Sequence, residues 1–383
     1  MTGPDYALLI AGTVAPSLAV AWVAAWGVRR LGPWLGLVDR PGHRKIHAAP
    51  VPTSGGLAIW LGLVVPLGAG QLLLWATISG VAPSLPAFVT PHLAGLVQQS
   101  GRLWLMLAGG TVLMLLGLWD DRRGLPWTVR LAVETAVALV MVLAGWRATF
   151  FVDLPWLTGT LSVLWIVGLT NSFNMLDNMD GLSAGVAAIA AVILATMMLI
   201  APAPAGAGPH LFVAGFLLVF LGALAGFLAH NRPPARLFMG DAGSYLIGYL
   251  LAMTTLAATF AGRGVPRHAI LGPLCLLAVP LYDTMTVVLI RLRSGRSPFV
   301  GDKSHFSHRL VELGMTTGQA VLTIYLATAT CGLGALLLHE VDTVGAIVIL
   351  LMEGLLLVLV AVLETAGRRA RARPEDSSGD AEA

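Results

Sequence analysis

Long apolar runs separated by short polar stretches organise this chain. A helix needs about 20 mostly apolar residues to cross the hydrocarbon core of a bilayer. Eleven runs qualify, at 6–28, 55–77, 103–119, 128–148, 155–171, 183–202, 210–229, 243–261, 268–290, 317–338 and 341–365. The fifth is short, and the last two are separated by almost nothing. The pattern predicts an all-α, polytopic integral membrane protein of about eleven transmembrane helices. Pro66 and Pro280 fall inside runs, which membrane helices tolerate where neighbours satisfy the freed carbonyls. The first run has no basic n-region and no small-residue cleavage site, so it reads as a retained span rather than a signal peptide. Residues 78–102, with Pro83, Pro86 and Pro91, read as an irregular loop, and 201–209 as a tight turn. No internal repeat and no separate soluble domain is visible. The expected organisation is one transmembrane domain over 1–367 and a disordered tail, 368–383.

Charge is scarce, at 11% of the 383 residues against about 25% in soluble proteins. So little charge cannot coat a water-facing surface, and lipid must cover most of the chain. The distribution of cations is more telling than the net charge of +3. Nineteen of the 23 Lys and Arg fall in alternate connections: Arg29 to Lys45, Arg122 to Arg130, Arg232 and Arg236, Arg291 to Arg309, and Arg368 to Arg373. The other connections hold only Arg102, Arg147, Arg263 and Arg267. By the positive-inside rule the amino terminus is outside and the carboxyl terminus inside. Cys275 and Cys331 lie within apolar runs and indicate no disulfide framework. No basic stripe or known module points to nucleic acid.

The side chains able to do chemistry gather on the inner side. The first inner loop, LVDRPGHRKIHAAPVPTSGG, carries His43, Arg44, Lys45 and His47 among Pro50, Pro52, Gly55 and Gly56. Topology alone accounts for the cations but not for the dense Pro/Gly punctuation. Asp120 and Asp121 end the third run. Adjacent carboxylates near lipid need a cation: either Arg122 and Arg123, or magnesium with its preference for hard oxygen ligands. After the fifth run come Asn171, Asn174, Asp177 and Asp180; the last three, spaced by three, share a face if the segment is helical. Asp180 is the natural cap for the sixth run. Asn231 precedes Gly240, Asp241, Gly243 and Ser244, which open the eighth run either as an ordinary N-cap or as a metal ligand beside a phosphate-attracting helix terminus. Asp283 lies inside the ninth run, where an ionisable group is functional by default or paired with a neighbouring helix. The last inner loop, SPFVGDKSHFSHRL, sets His305 and His308 among Asp302, Lys303 and Arg309. No Cys joins them, and cations with imidazoles suit a pyrophosphate or nucleotide better than zinc.

From Val38 to Gly314, these segments resemble, in order, the polyprenyl-phosphate N-acetylhexosamine-1-phosphate transferases of the WecA–MraY superfamily, a fold of ten or eleven spans. DRPGHRKIHAAPVPTSGG is similar to the first cytoplasmic loop, DDRRG to the Asp-Asp motif, NMLDNMDG to Asn-x-x-Asp-x-x-Asp-Gly, and GDAGS to Gly-Asp-x-Gly-Ser. DKSHFSHRL resembles the histidine loop of the branch that begins O-antigen, enterobacterial common antigen or teichoic-acid linkage synthesis. Many members of that branch carry a further His where this chain has Ser307.

The resemblance implies transfer of a sugar 1-phosphate, N-acetylglucosamine 1-phosphate by default, from a UDP-sugar to undecaprenyl or another polyprenyl phosphate, with release of UMP. It implies magnesium, or manganese in its place, held by Asp241 with Asp121 and Asn174. Asp120 or Asp121 would contact the lipid phosphate, bind metal or act as base, and Asp177 and Asp180 would complete the catalytic set. Asn174, Asp177 and Asp180 would position uridine, metal or phosphate. Lys45, His305, His308 and Arg309 would hold the anionic groups of the nucleotide sugar, with Arg44, His47 and Asn231 beside them. The expected location is the plasma (inner) membrane, with the site facing the cytoplasm; a homodimer is left open. The alternatives are a transporter of an anionic solute, the phospho-MurNAc-pentapeptide transferase activity of the same superfamily, and a non-catalytic lipid-phosphate binder. Transporters place polar residues near the midplane in related repeats, whereas here they lie at one rim.

Overall fold

The computed structural model describes residues 1–39, 50–81, 85–148, 154–200, 210–260, 266–302 and 304–371; the side chains of 259–260 and 366–371 are left aside. Arg44, Lys45 and His47 lie outside the described residues, as do Lys303, the turn at 201–209 and residues 372–383.

The protein is an all-α polytopic membrane protein. In chain order the helices are α1 (Gly3–Leu31), α2 (Gly55–Ile78), α3 (Leu93–Arg123), α4 (Trp127–Leu143), α5 (Pro155–Leu176), α6 (Leu182–Ile200), α7 (Leu211–Asn231), α8 (Gly240–Phe260), α9 (Gly272–Leu276), α10 (Ala278–Arg293), α11 (Phe306–Glu312), α12 (Thr317–Leu337) and α13 (Thr343–Arg371). Two short strands, β1 (Val38–Asp39) and β2 (Val51–Pro52), pair antiparallel on either side of 40–49. Each of the eleven apolar runs contains helix among the described residues. By length and composition, seven helices among the described residues could cross a membrane, or eight if the bent α9–α10 pair counts as one span. α4, at 17 residues, is short for a span, and α5 and α8 carry the polar residues of the site.

Three boundaries differ from the sequence reading. The loop expected at 78–102 ends early, because a 3-10 turn at Thr90–His92 leads into α3 at Leu93. At 1.5 Å per residue, the 31 residues of α3 reach roughly 46 Å, beyond a hydrocarbon core of about 30 Å, so its first turns stand clear of the core. The fifth helix runs on to Leu176 and carries Asn171 and Asn174 in its last turns. α13 continues through Arg371, into the segment expected to be a disordered tail.

The proline sites behave as membrane helices allow. Pro66 frees the Gly62 carbonyl, which accepts the Ser17 hydroxyl at 2.6 Å. The ninth run breaks at Leu277, between α9 and α10, with a bend of 65°, three residues before Pro280.

α8 is the buried axis of the bundle, packed against α2, α3 and α5. Gly117 of α3 permits a close approach to α8: a Cβ there would lie 2.3 Å from Ala242 N. α1 and α13 are the reverse case, with long exposed apolar faces that include Trp22, Val23, Leu351 and Leu355. In a bilayer such faces are covered by lipid.

Candidate functional site at one end of the bundle

The polar segments converge at the end formed by the N-terminus of α8 and the C-termini of α3, α5 and α7. Gly240 opens α8 with φ +69°, and a Cβ there would meet Asp121 Oδ2 at 2.3 Å and the Thr53 carbonyl at 2.4 Å. Asp121 supplies the cap across the helix interface. Its Oδ1 accepts the Asp241 N–H at 3.0 Å, and its Oδ2 lies 3.5 Å from the Ala242 N–H. A carboxylate here also complements the helix dipole. The expected self-cap by Asp241 or Ser244 is therefore replaced by a cap from α3. Asp241 is freed to take a hydrogen bond from Asn174 Nδ2 at 2.6 Å, and the same amide reaches Ser244 Oγ at 3.0 Å.

Adjacent residues on a helix point about 100° apart, so Asp120 goes elsewhere. It is buried, accepting the Leu125 N–H at 2.6 Å, Arg130 Nη1 at 3.0 Å and the Tyr245 hydroxyl at 3.0 Å. The cation that neutralises it is Arg130, not the exposed Arg122 or Arg123. A base role is disfavoured, since Asp120 is already engaged by three donors. One turn beyond Arg130, Glu134 is buried and accepts Asn171 Nδ2. Sequence reasoning missed Glu134, although a carboxylate inside the fourth apolar run was the signal.

Asn174, Asp177 and Asp180 do not share a helical face, because α5 stops at Leu176. Asp177 caps its C-terminus, and Asp180 sits in the turn before α6. Asp180 does not cap α6 as expected; its Oδ2 accepts the Ala235 N–H at 2.8 Å. Burial, then the Asp241 carboxylate and then Asp180, push Asp177 up to about 8. Asn231, expected to bind substrate, has both ends of its amide committed. It accepts the Gly181 N–H at 2.9 Å and donates to the Leu237 carbonyl at 2.9 Å, stapling the 181 and 237 segments. The first inner loop arrives beside them: the Phe238 N–H donates to Pro52 O at 2.8 Å, and Gly55 and Gly56 donate to Phe238 O and Met239 O at 2.9 Å.

The histidine segment is organised by Asp283, which takes up the pairing role. Its Oδ2 lies 3.0 Å from His305 Nδ1, and its Oδ1 accepts the Phe306 N–H at 2.5 Å. Arg309 was expected to meet the nucleotide sugar. It is buried instead, with Nε on Glu364 Oε2 at 3.0 Å, Nη2 on Thr286 Oγ1 at 3.0 Å and Nη1 on the Ser304 carbonyl. It anchors α11 to α10 and α13. Asp302 is clamped by Arg291 at 3.0 Å, and Phe299 stacks on Trp127 with centroids 4.0 Å apart. His308 follows on α11, its ring centroid 6.4 Å from that of His305. Ser307 donates to Asn178 Oδ1 at 2.5 Å and joins this segment to the acidic turn.

Asp120, Asp121 and Asp177 all lie within electrostatic reach of Asp241. Crowded, partly desolvated carboxylates repel unless a cation stands among them. Among the described residues no three acidic or His side chains gather closely enough to enclose a metal unaided. The donor set suits a hard cation that takes one or two carboxylates and completes its shell with phosphates and water, as magnesium does.

Residues 103–259 match the sequence pattern of glycosyl transferase family 4. The chain is 31% identical to a probable undecaprenyl-phosphate N-acetylglucosaminyl 1-phosphate transferase of Bacillus subtilis, over 82% of this chain and 80% of that protein. It is 34% identical to a decaprenyl-phosphate N-acetylglucosaminephosphotransferase of Mycolicibacterium smegmatis, over 83% of this chain and 78% of the relative. An undecaprenyl-phosphate alpha-N-acetylglucosaminyl 1-phosphate transferase of Escherichia coli is 28% identical over 79% and 76%.

Proposed function

The chain belongs to glycosyl transferase family 4, and on that premise we propose that it transfers N-acetylglucosamine 1-phosphate from UDP-N-acetylglucosamine to a polyprenyl phosphate, releasing UMP. An oxygen of the lipid phosphate forms a bond to the β-phosphorus of the nucleotide sugar as the bond to the UMP oxygen breaks. Two anions must meet, so most of the catalysis is positioning and charge stabilisation. The observation that carries this reading is Asp241, held by Asn174 at 2.6 Å on a helix whose first turn is fixed by Asp121.

Magnesium, or manganese, would be held by Asp241 with Asp177 and would supply positive charge to the pyrophosphate and the leaving UMP. The remaining roles belong to the chain. Asp121 positions Asp241 by fixing the α8 N-terminus. Arg130 and Tyr245 hold Asp120 in place. A lipid phosphate is already largely ionised near neutrality, so no carboxylate needs to remove a proton from it. Asp283 orients His305, whose other ring nitrogen can meet an anionic group of the nucleotide sugar; Lys45, Arg44, His47 and His308 belong to the same anion-binding set. Placement at the end of the bundle lets an apolar polyprenyl tail stay in lipid while its phosphate reaches a soluble nucleotide. The cation bias supports a cytoplasmic position for that end, at the plasma membrane.

The test incubates purified protein with undecaprenyl phosphate, magnesium and a panel of UDP-sugars, and identifies the lipid product by mass. The expected product is polyprenyl-diphosphate N-acetylglucosamine, and Asp241→Asn should abolish it while the protein still inserts and folds. Wild-type turnover by that variant at saturating magnesium would overturn the assignment of Asp241. Flux of a solute with no UMP release would overturn the transferase.

A further inference from the structure

Ser307, where this chain departs from its branch, is 1% exposed and its hydroxyl has a defined partner. It donates to Asn178 Oδ1 at 2.5 Å, and Asn178 in turn donates through Nδ2 to the Met175 carbonyl at 2.9 Å. One end of this bridge is the turn that carries Asp177 and Asp180; the other is α11, next to His305 and His308.

The other anchors of the two segments lead away from each other. Around Ser307, His305 and Phe306 hold to Asp283 of α10, and Arg309 holds to Glu364 of α13 and Thr286 of α10. On the acidic turn, Gly181 donates to Asn231 and accepts the Tyr325 hydroxyl at 2.6 Å, while Asp180 accepts from Ala235. These bonds fix the far end of the turn to α7, α12 and the 235 segment. The Asn178 end is fixed to α11 through Ser307. A serine hydroxyl is short and directional, so it sets the separation of the two segments more tightly than a long side chain could.

We propose that the Ser307–Asn178 bridge sets the gap between the acidic turn and the histidine segment, and thereby the affinity for the nucleotide sugar. Both are positioning residues that act through Asp177 and His305. The proposal rests on the transferase reading above. On that reading Asp177, through the cation it would hold, and His305 meet the same anionic ligand from the two sides of this gap. On the same reading the lipid phosphate approaches from the side of Asp120 and Asp121 on α3, and the bridge has no bond to either residue. The bridge should therefore govern one substrate and not the other.

The test compares full-length wild type, Ser307→Ala, Asn178→Ala, the double variant and Ser307→Thr in steady-state transfer, titrating UDP-N-acetylglucosamine and undecaprenyl phosphate separately. Each alanine variant should raise KM for the UDP-sugar roughly 2- to 12-fold, the range covered by one net hydrogen bond. KM for the lipid and the pH profile should stay as in wild type. The double variant should be no worse than the poorer single one, because one contact is being removed twice, and Ser307→Thr should restore the lower KM. A bridge that serves stability alone would lower the thermal midpoint and the active fraction without separating the two KM values. That result, an unchanged KM in Ser307→Ala, or additive single variants would each overturn the proposal. Should Ser307→Ala not fold, Asn178→Ala decides by the same criteria. A wild type that turns over nothing sinks the transferase reading itself; an active wild type matched by its Ser307→Ala variant sinks this inference alone.

Discussion

Gly117→Ala is the sharpest probe of how the site is positioned. The added Cβ would lie 2.3 Å from Ala242 N, 2.4 Å from Ala242 Cα and 2.4 Å from the Asp241 carbonyl carbon. All three are backbone atoms, so no side-chain rotation relieves the clash. Ordinary contact begins near 3.4 Å, so the first turn of α8 must retreat by about 1 Å. That retreat stretches the Asp121 to Asp241 N–H bond from 3.0 Å to roughly 4 Å, past hydrogen-bonding range, and carries Asp241 with it. Overpacking of this kind costs about 1–3 kcal/mol, and a misplacement of about 1 Å can cost roughly 100-fold in rate. Turnover and thermal midpoint should both be measured on the full chain in detergent. Gly168→Ala on α5 is the control: nothing lies within 4 Å of its Cβ position, and replacing a mid-helix glycine should gain about 0.5–1 kcal/mol with activity intact. A folded Gly117→Ala enzyme with a rate within about twofold of wild type would refute the reasoning.

Three further outcomes follow from the charges. The folded value of Asp177, about 8, stands above the ordinary 3.8, so its contribution to stability is full below about pH 4 and is lost as pH rises through about 8. The thermal midpoint of cation-free protein should fall across that window, and Asp177→Asn should flatten the fall; an unaltered slope would exclude Asp177 as its source. Arg309→Met removes the cation of a buried pair and should destabilise the protein by about 3–5 kcal/mol, while any surviving enzyme keeps a near-normal KM for the UDP-sugar. A stable variant with a raised KM would return Arg309 to the substrate. Desolvation works to raise Asp302, but hydrogen bonds from Arg291 and Ser304 outweigh it and hold it at about 2. The stability it confers is therefore present above about pH 4 and lost as pH falls toward 2; proteolysis of the 294–304 loop should rise over that range and be insensitive to pH in Asp302→Asn.

The helices were legible because lipid imposes a length and a polarity on each of them. Their ends were not, since a helix such as α3 can outrun the bilayer at no cost in apolar surface. At the site, the acidic motifs were found from clustering alone, but what each carboxylate does depends on contacts across helices. Nothing in the Asp120–Asp121 pair says that one faces Arg130 and the other an N-terminus 120 positions later. Spacing by three suggested a shared face for Asn174, Asp177 and Asp180, and the end of α5 at Leu176 broke it. Arg309 and Asn231 looked like binders because polar residues near a site invite that reading, whereas burial with every arm engaged makes them fasteners. Glu134 stands as an acid in an apolar run, but no neighbouring motif ties it to the site.

The capping of α8 by Asp121 ties durability to turnover. Removing that carboxylate loosens the helix end that presents Asp241, so, on the role proposed for Asp241, one substitution weakens the scaffold and the chemistry together. Engineering for heat resistance would have to leave this contact alone and seek gains on the lipid-facing sides of α1 and α13. A small molecule that merely pried α8 from α3 would silence the enzyme without entering either substrate's place.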